Sequence, residues 1–466
     1  MESSKKTALS SIGAVVLLVL ASSLGRAFLE FFSNPEQGGI ISPWYVTLEY
    51  FLFFLAVTVS IGMVVGAVTR ESMLRSTVRA ARFSPIIMLA PVLDLVFSGG
   101  SGACMAYLGS SGTPLAADFL TYFGKSVRCG ITAGIRIELL IVFASIGLLV
   151  WKKTHSARRA ALGLALGYAA VFAQLAIPGI LGSIAGIAGH SAPWILKSVN
   201  ESLLATNPTS ASYPMFGFVT LMSQIHFLTI VAFSLTIWFF EKRNSFAAWM
   251  RNARPERIAY YLMLMLLGAV AASRLSPHSV SWVDMVGFAC AAVVLTANWW
   301  AAVAINDLSD DVTDAASNPN RPLHAGTMDR ESFRTLAAVF LGTAITGSII
   351  VGYPFLFFMA VFQTMYAAYS IRETRWKNHF LKSSAVLGSV GISAILAGFF
   401  LFAPNYPVAS LPLGTIVAAF VGLAVISNSK DYKDRKGDEA DGVRTLPVAI
   451  GTKRAYLVVT VLMIAW

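Results

Sequence analysis

Long, charge-poor apolar runs constrain this chain more than any other feature, because roughly 20 apolar residues form a helix that crosses about 30 Å of hydrocarbon. Such runs recur along nearly the whole sequence, and only 13% of its residues are charged. We identify twelve runs and a shorter thirteenth, near residues 8–25, 45–68, 85–108, 129–151, 161–189, 213–240, 258–275, 281–305, 334–351, 352–370, 383–403, 411–429 and 455–466. The pattern predicts an all-α, polytopic transmembrane helical bundle of about 12–13 spans.

The positive net charge of +11 raises the question of whether nucleic acid or a membrane is the partner. If the N-terminus with Lys5 and Lys6 is cytoplasmic, Lys and Arg gather in every second connection, as the positive-inside rule requires. The basic connections lie near residues 70–82, 152–159, 242–257, 321–334, 372–377 and 430–444. The distribution therefore indicates the lipid bilayer as the partner of these charges, and no nucleic acid.

The segment from Glu241 to Arg257 is a basic, mixed loop and the best candidate for a domain boundary. We therefore divide the chain into a six-span membrane domain of unknown function, residues 1–255, and a second domain, residues 256–466. The last apolar run begins near Ala455 and is too short to cross a bilayer. We therefore expect the second domain to be truncated at its C-terminus.

Ionisable side chains within the spans of the first domain are candidates for function, because charge is expensive in hydrocarbon. Asp94, Arg136 and Glu138 stand out, and an ion pair between Asp94 and Arg136 that serves structure is the favoured interpretation. Gln174 and His226 are expected to form interhelical hydrogen bonds.

Two acidic clusters with the same spacing follow the eighth and twelfth runs. If the eighth helix continues, Asp307, Asp310 and Asp314 stand at positions i, i+3 and i+7, and hence on one face. The second cluster, Asp431, Asp434 and Asp438, repeats this spacing, and the alternation of loops places both on the cytoplasmic side. A solvated acidic loop explains most single acidic runs, but two matching clusters on one side favour a shared site.

Clustered carboxylates repel one another unless a cation lies between them, and their hard oxygen atoms suit Mg²⁺. This ion takes one or two protein carboxylates and shares the rest of its coordination with water and substrate phosphate oxygens. The two clusters therefore predict a Mg²⁺ site that binds a diphosphate between them.

The residues around both clusters resemble the signatures of the UbiA family of intramembrane prenyltransferases. Asn306, Asp307, Asp310 and Asp314, with the NPNRPL stretch that ends at Leu323, are similar to its first motif. The stretch DYKDRKGDEADGVRTLP, from Asp431 to Pro447, is similar to its second. Between them, the residues that correspond to the family's Tyr-Ser pair and basic loop are Tyr369, Ser370, Arg375 and Lys377. The resemblance covers about residues 256–466.

This resemblance implies Mg²⁺-dependent transfer of an isoprenyl group from a prenyl diphosphate to an unidentified hydrophobic acceptor. It implies metal ligands at Asp307, Asp310, Asp314, Asp431, Asp434 and Asp438. It implies diphosphate binding by Asn306, Arg321, Arg375 and Lys377, and catalytic roles for Asp310, Asp434, Lys377 and Tyr369. Aromatic faces would stabilise the carbocation, for which Tyr366, Tyr369, Trp299 and Trp300 are candidates, although an interfacial belt is the favoured interpretation of the tryptophans.

The acceptor stays open among a quinone precursor, a glycerol-phosphate lipid, a tetrapyrrole and a phosphosugar. A different class of function, a membrane transporter or scaffold whose acidic helix ends bind cations, is the alternative to an enzyme.

Overall fold

The computed structural model is all-α and divides into two compact units. The structure describes residues 7–33, 44–98, 107–108, 114–124, 131–185, 191–200, 202, 214–275, 280–310, 318–371, 373–403, 406–440 and 442–466. Within these residues no strand occurs, and one isolated backbone bridge joins His379 to Arg444. The prediction of a polytopic helical bundle is confirmed.

The first unit comprises residues 1–206 and 210–241. Its described helices are α1 Thr7–Ser33, α2 Trp44–Thr69, α3 Met73–Ala81, α4 Leu89–Ser98, α5 Leu115–Leu120, α6 Ala133–Thr154, α7 Ala157–Leu175, α8 Ile177–Ile184, α9 Ser191–Asn200 and α10 Pro214–Glu241. The helix α2 is apolar over most of its length and packs against α1, α3, α6, α7 and α10, so it lies at the centre of this unit.

The second unit comprises residues 207–209 and 242–466. Its described helices are α11 Arg243–Asn252, α12 Pro255–Leu275, α13 Trp282–Ser309, α14 Arg330–Val351, α15 Tyr353–Ser370, α16 Phe380–Phe402, α17 Leu413–Ile426, α18 Asp431–Ala440, α19 Leu446–Ile450 and α20 Thr452–Ala465. A division of function at residue 255 stays a prediction.

The helices α12 and α16 approach each other through two glycines. A Cβ atom on Gly268 would lie 1.8 Å from the carbonyl oxygen of Ile395, and one on Gly398 would lie 1.8 Å from that of Met265. Backbone therefore meets backbone here, as small residues permit between membrane helices.

Nine helices in the described part of the chain are long and apolar enough to cross a membrane, and the bent pair of α7 and α8 makes a tenth. Each of the twelve predicted runs overlaps a helix, but two helices are too short or too polar for that criterion. These are α15, Tyr353–Ser370, and α17, which belongs to the shorter apolar segment Leu413–Ser429. Among the described residues, helix length and hydropathy therefore support nine or ten of the predicted spans.

Candidate active site

The first acidic cluster lies at the end of α13. This helix begins with a capping box, in which Ser281 and Asp284 each accept a hydrogen bond from the other's backbone N–H. Asn306 and Asp307 belong to its last turn, and the backbone N–H of Asp310 donates to the carbonyl of Asn306 at 2.9 Å. The helix ends at Ser309, and Asp314 lies outside the described residues.

The carboxylate of Asp307 is 2% exposed and is held by three side chains. Its Oδ2 accepts a hydrogen bond from Asn252 at 2.7 Å, and its Oδ1 accepts one each from Arg254 and Arg321 at 3.0 Å. Two guanidinium groups thus converge on one carboxylate, which compensates its burial.

Asn252 and Arg254 contact the candidate site residue Asp307, although no sequence motif marks either of them. They lie at the end of α11 and before α12, where the sequence shows only a basic loop, and the division at residue 255 placed both in the first domain. Arg254 has a φ of +53°, a left-handed conformation that is uncommon outside glycine and is enriched at functional sites. No local pattern marks such a partner, because only the packing of α11 brings it to Asp307.

Lys377 meets the first cluster from a different part of the chain. It lies in a 3₁₀ turn, Trp376–Asn378, and its Nζ forms a close ion pair with Oδ1 of Asp310. Both side chains are largely buried. Arg375, which precedes the turn, has a φ of +36°, so a second arginine beside the site has the left-handed conformation.

The end of α15 contacts the same helix end. The hydroxyl of Ser370 donates to Oδ1 of Asn306 at 3.0 Å. Tyr369 precedes it, and its ring lies 6.2 Å from that of Tyr366. The Tyr-Ser pair thus joins α15 to the first cluster through the serine, whereas the tyrosine extends toward an aromatic group.

That aromatic group lies inside the second unit. The rings of Trp299 and Phe362 lie 5.4 and 5.1 Å from the ring of Tyr261, and each also lies 5.4 Å from the ring of Tyr366. The hydroxyls of Tyr261 and Tyr366 are 2.7 Å apart. Trp299 is 3% exposed, so the interpretation of this residue as part of an interfacial belt is wrong.

Trp300 faces a separate set of rings. It packs on Trp249 at 6.4 Å and on Phe340 at 5.1 Å. Neighbouring positions on a helix point to different faces, and here only Trp299 points to the Tyr366 group.

The second acidic cluster lies on α18, so its backbone has the helical form that the i, i+3, i+7 spacing requires. Asp431 is 4% exposed and begins this helix, while Asp438 is partly exposed near its end. The side chain of Asp434 lies outside the described residues.

Backbone hydrogen bonds connect the Lys377 turn to the segment that follows the second cluster. Arg444 N–H donates to the carbonyl of Asn378 at 3.1 Å, and Phe380 N–H donates to the carbonyl of Arg444 at 3.2 Å. The structure therefore brings together Asn306, Asp307, Asp310, Arg321, Ser370 and Lys377, and it ties this group to the backbone beyond the second cluster.

The oxygen donors of this group suit Mg²⁺ in kind, because carboxylate and amide oxygens are hard ligands. Among the described residues, no three His, Cys, Asp or Glu side chains converge as a metal site. The carboxylates of Asp307 and Asp310 are instead paired with Arg and Lys. Arg254 and Arg321 are 29% and 22% exposed, so a phosphate has access to these cations.

Residues 261–466 match the model of the UbiA prenyltransferase family. A digeranylgeranylglyceryl phosphate synthase of Methanopyrus kandleri is 29% identical over 220 residues, which is 47% of this chain and 75% of that protein. One of Korarchaeum cryptofilum is 33% identical over 35% of this chain and 56% of its own length. The bacteriochlorophyll synthase 34 kDa chain of Chloroflexus aurantiacus is 29% identical over 34% of this chain and 52% of its own length.

Among solved structures, a UbiA homologue of Archaeoglobus fulgidus bound to DMAPP and Mg²⁺ aligns with 46% of this chain and 73% of its own. The sequence identity is 19% and the TM-score is 0.39.

Proposed function

Residues 261–466 are a domain of the UbiA prenyltransferase family, and we propose that this domain transfers an isoprenyl group from a prenyl diphosphate to a lipid-like acceptor within the membrane. The observation that carries the proposal is the pairing of Asp310 with Lys377 beside Asp307, Arg254 and Arg321. Carboxylates that recruit a divalent cation, and cations that bind phosphate, occur here within one group of contacts.

Charge neutralisation is the main task of the residues around the diphosphate. Asn306, Asp307 and Asp310, with Asp314, Asp431, Asp434 and Asp438, would hold Mg²⁺, which supplies Lewis-acid stabilisation of charge on the diphosphate. Lys377, Arg321, Arg375 and Arg254 bind its oxygen atoms, and Arg suits this role because its fork of donors matches two oxygens.

The reaction breaks the allylic C–O bond, and the electron pair leaves with the pyrophosphate. The carbocation that results is stabilised by the faces of Tyr261, Trp299 and Tyr366, with Tyr369 on the side of the diphosphate. The buried rings also exclude water, which would otherwise capture the cation. A nucleophilic atom of the acceptor then forms the new bond to carbon and gives up its proton to the pyrophosphate that has left.

The acceptor is the finer part of the proposal. Digeranylgeranylglyceryl phosphate synthases among the relatives favour a glycerophosphate lipid, and the bacteriochlorophyll synthase chain favours a tetrapyrrole as the second candidate. A quinone precursor is the third member of the panel to test.

The direct experiment uses the full-length protein in lipid nanodiscs. It is incubated with labelled geranylgeranyl diphosphate, Mg²⁺ and each acceptor in turn. We expect one acceptor to give a labelled product and an equal amount of pyrophosphate. Lys377→Gln should lower the rate on the order of 10²-fold, whereas Lys382→Gln, at an exposed position of α16, should leave it unchanged. Normal transfer by Lys377→Gln would remove the central role proposed for this ion pair.

The transporter or scaffold alternative predicts that no labelled diphosphate is consumed with any acceptor. Cation binding would then be independent of diphosphate, and Lys377→Gln would leave it unchanged or stronger.

We also propose that both acidic clusters face the cytoplasm, because the connections in which they lie both belong to the basic set. Single cysteines at the exposed positions Ala325 and Glu439, in a background without Cys104, Cys129 and Cys290, test this in sealed vesicles. Both should react with a membrane-impermeant thiol reagent from the cytoplasmic face. Labelling of both from the outer face would overturn the proposed orientation.

A further inference from the structure

Four polar side chains form a hydrogen-bonded chain inside the first unit, and none of them belongs to residues 261–466. Tyr107 Oη bonds to Oε1 of Glu49 on α2 and, at 2.8 Å, to Nε2 of His226 on α10. Nδ1 of His226 lies 3.2 Å from Oε1 of Gln174 on α7. Glu49, Gln174 and His226 are 4%, 7% and 0% exposed.

The donors and acceptors of this chain allow two arrangements of its protons. Because the carbonyl oxygen of Gln174 only accepts, Nδ1 of His226 must carry a proton. If Nε2 is bare, the hydroxyl of Tyr107 donates to it, and Glu49 must be a carboxylic acid that donates to the phenol oxygen. If Nε2 also carries a proton, the imidazolium donates to Tyr107, and Tyr107 donates to a Glu49 carboxylate.

The two arrangements differ by the movement of two protons along existing hydrogen bonds. An O–H bond of Glu49 breaks as one forms on Tyr107, while the original O–H bond of Tyr107 breaks as an N–H bond forms on His226. Protons and charges balance, and no heavy atom has to change partner. The side chains thus provide a path on which one positive charge moves from one end to the other.

The neighbouring charges favour the neutral arrangement at rest. Arg26 on α1 pairs with Glu30 at 2.8 Å and with Glu138 on α6 at 3.1 Å, and Tyr50 donates to Glu30 at 2.7 Å. One guanidinium already serves two buried carboxylates. A third carboxylate at Glu49 would be an additional buried anion, and such groups take up a proton instead.

We propose that the first unit contains a proton-relay site, in which a proton moves between Glu49 and His226 through the hydroxyl of Tyr107. Its ligand is a proton, and its class of function is proton binding and transfer within the membrane-embedded bundle. Ionisable side chains at membrane depth commonly serve such relays. The site is additional to prenyl transfer and does not depend on the function proposed for the second unit.

The test uses full-length protein in nanodiscs with ¹⁵N-labelled histidine, with the His226 signals assigned by their loss in His226→Gln. At neutral pH we expect a neutral ring that carries its proton on Nδ1. Infrared spectra should contain the carbonyl stretch of a protonated carboxylic acid that disappears in Glu49→Gln and persists in Glu256→Gln, an exposed control. The carboxyl band and the His226 shifts should change together, with one apparent midpoint, as pH is varied.

Tyr107→Phe keeps both end groups and removes the hydroxyl between them, so the two signals should titrate at separate pH values. Tyr107→Phe also keeps the proposal testable if the Glu49→Gln protein does not fold. The proposal is overturned if Glu49 is ionised throughout, if the proton of the neutral ring is on Nε2, if neither signal changes with pH, or if the shared midpoint survives in Tyr107→Phe.

Discussion

The two units place similar ion pairs in different parts of their helices. In the first unit, Arg26 lies within α1 and pairs with Glu30 and Glu138, and all three side chains are at most 8% exposed. In the second, Asp307 lies in the last turn of α13, and its partners Arg254 and Arg321 are 29% and 22% exposed. The first arrangement shields both charges from solvent, whereas in the second a buried carboxylate is paired with cations that stay partly exposed.

Asp310→Asn should give the largest effect and test the second unit's half of this comparison. The change keeps the size of the side chain but removes the charge that pairs with Lys377 and attracts Mg²⁺. Prenyl transfer should fall on the order of 10³-fold, because metal stabilisation supplies several kcal/mol, while the fold is retained. Steady-state rates measure it, with Glu331→Gln at a partly exposed position of α14 as the control. Wild-type rates in Asp310→Asn and in Asp434→Asn would return both clusters to solvated helix ends.

Arg26→Met tests the buried pair of the first unit. It leaves Glu30 and Glu138 buried without their cation, so the unfolding free energy should fall by about 3–5 kcal/mol. Thermal unfolding in nanodiscs detects this as a lower melting temperature, and Arg158→Met, at an exposed position, should have little effect. A melting temperature equal to that of Arg158→Met would show that the buried carboxylates of Glu30 and Glu138 do not need Arg26 for stability.

Gly268→Ala tests the close packing of α12 against α16. Its methyl group would meet the backbone of α16, so overpacking should lower the unfolding free energy by about 1–3 kcal/mol. Gly342 on α14 has open space around its missing Cβ, so Gly342→Ala should be neutral or stabilising by up to about 1 kcal/mol. Equal melting temperatures of the two variants would contradict the close approach of α12 and α16.

Ser370→Ala removes one hydrogen bond from Asn306. A single neutral hydrogen bond contributes about 1 kcal/mol, so kcat/KM should fall roughly fivefold. Ser389→Ala removes a hydroxyl that bonds within its own helix and serves as the control. A similar decrease in both variants would assign the effect to the helices and not to the site.

Glu71, which lies between two candidate spans, provides the smallest effect. Lys153 and Arg79 each donate to its carboxylate at 2.9 Å, and they lower the pKa of Glu71 below its ordinary value. A lowered pKa means that the stabilisation is present at neutral pH and is lost as pH falls through the acidic range. Glu71→Gln should therefore cost at most about 1 kcal/mol at pH 7 and nothing in acid. Unfolding at both pH values measures it, and equal losses at both would contradict the assignment.

The sequence predicted the features that local patterns specify. Apolar length predicted the helices, and the i, i+3, i+7 spacing at residues 431–438 agrees with a helical backbone there. The helix α13 ends at Ser309, so Asp310 is its C-cap residue. Carboxylate spacing did not predict this, because the end of a helix depends on local backbone geometry. Asn252 and Arg254 were beyond prediction, since their role follows from which helix packs beside the end of α13.

The backbone pairing of Asn378 with Arg444 has a consequence for biosynthesis. The ribosome makes the Lys377 turn well before Arg444, and α16 and α17 lie between the two in the chain. The turn therefore emerges before its backbone partner has been synthesised, and the pairing can form only after α16 and α17 have been made. The candidate site of this domain is therefore completed late in synthesis, after the helices that carry it have been made.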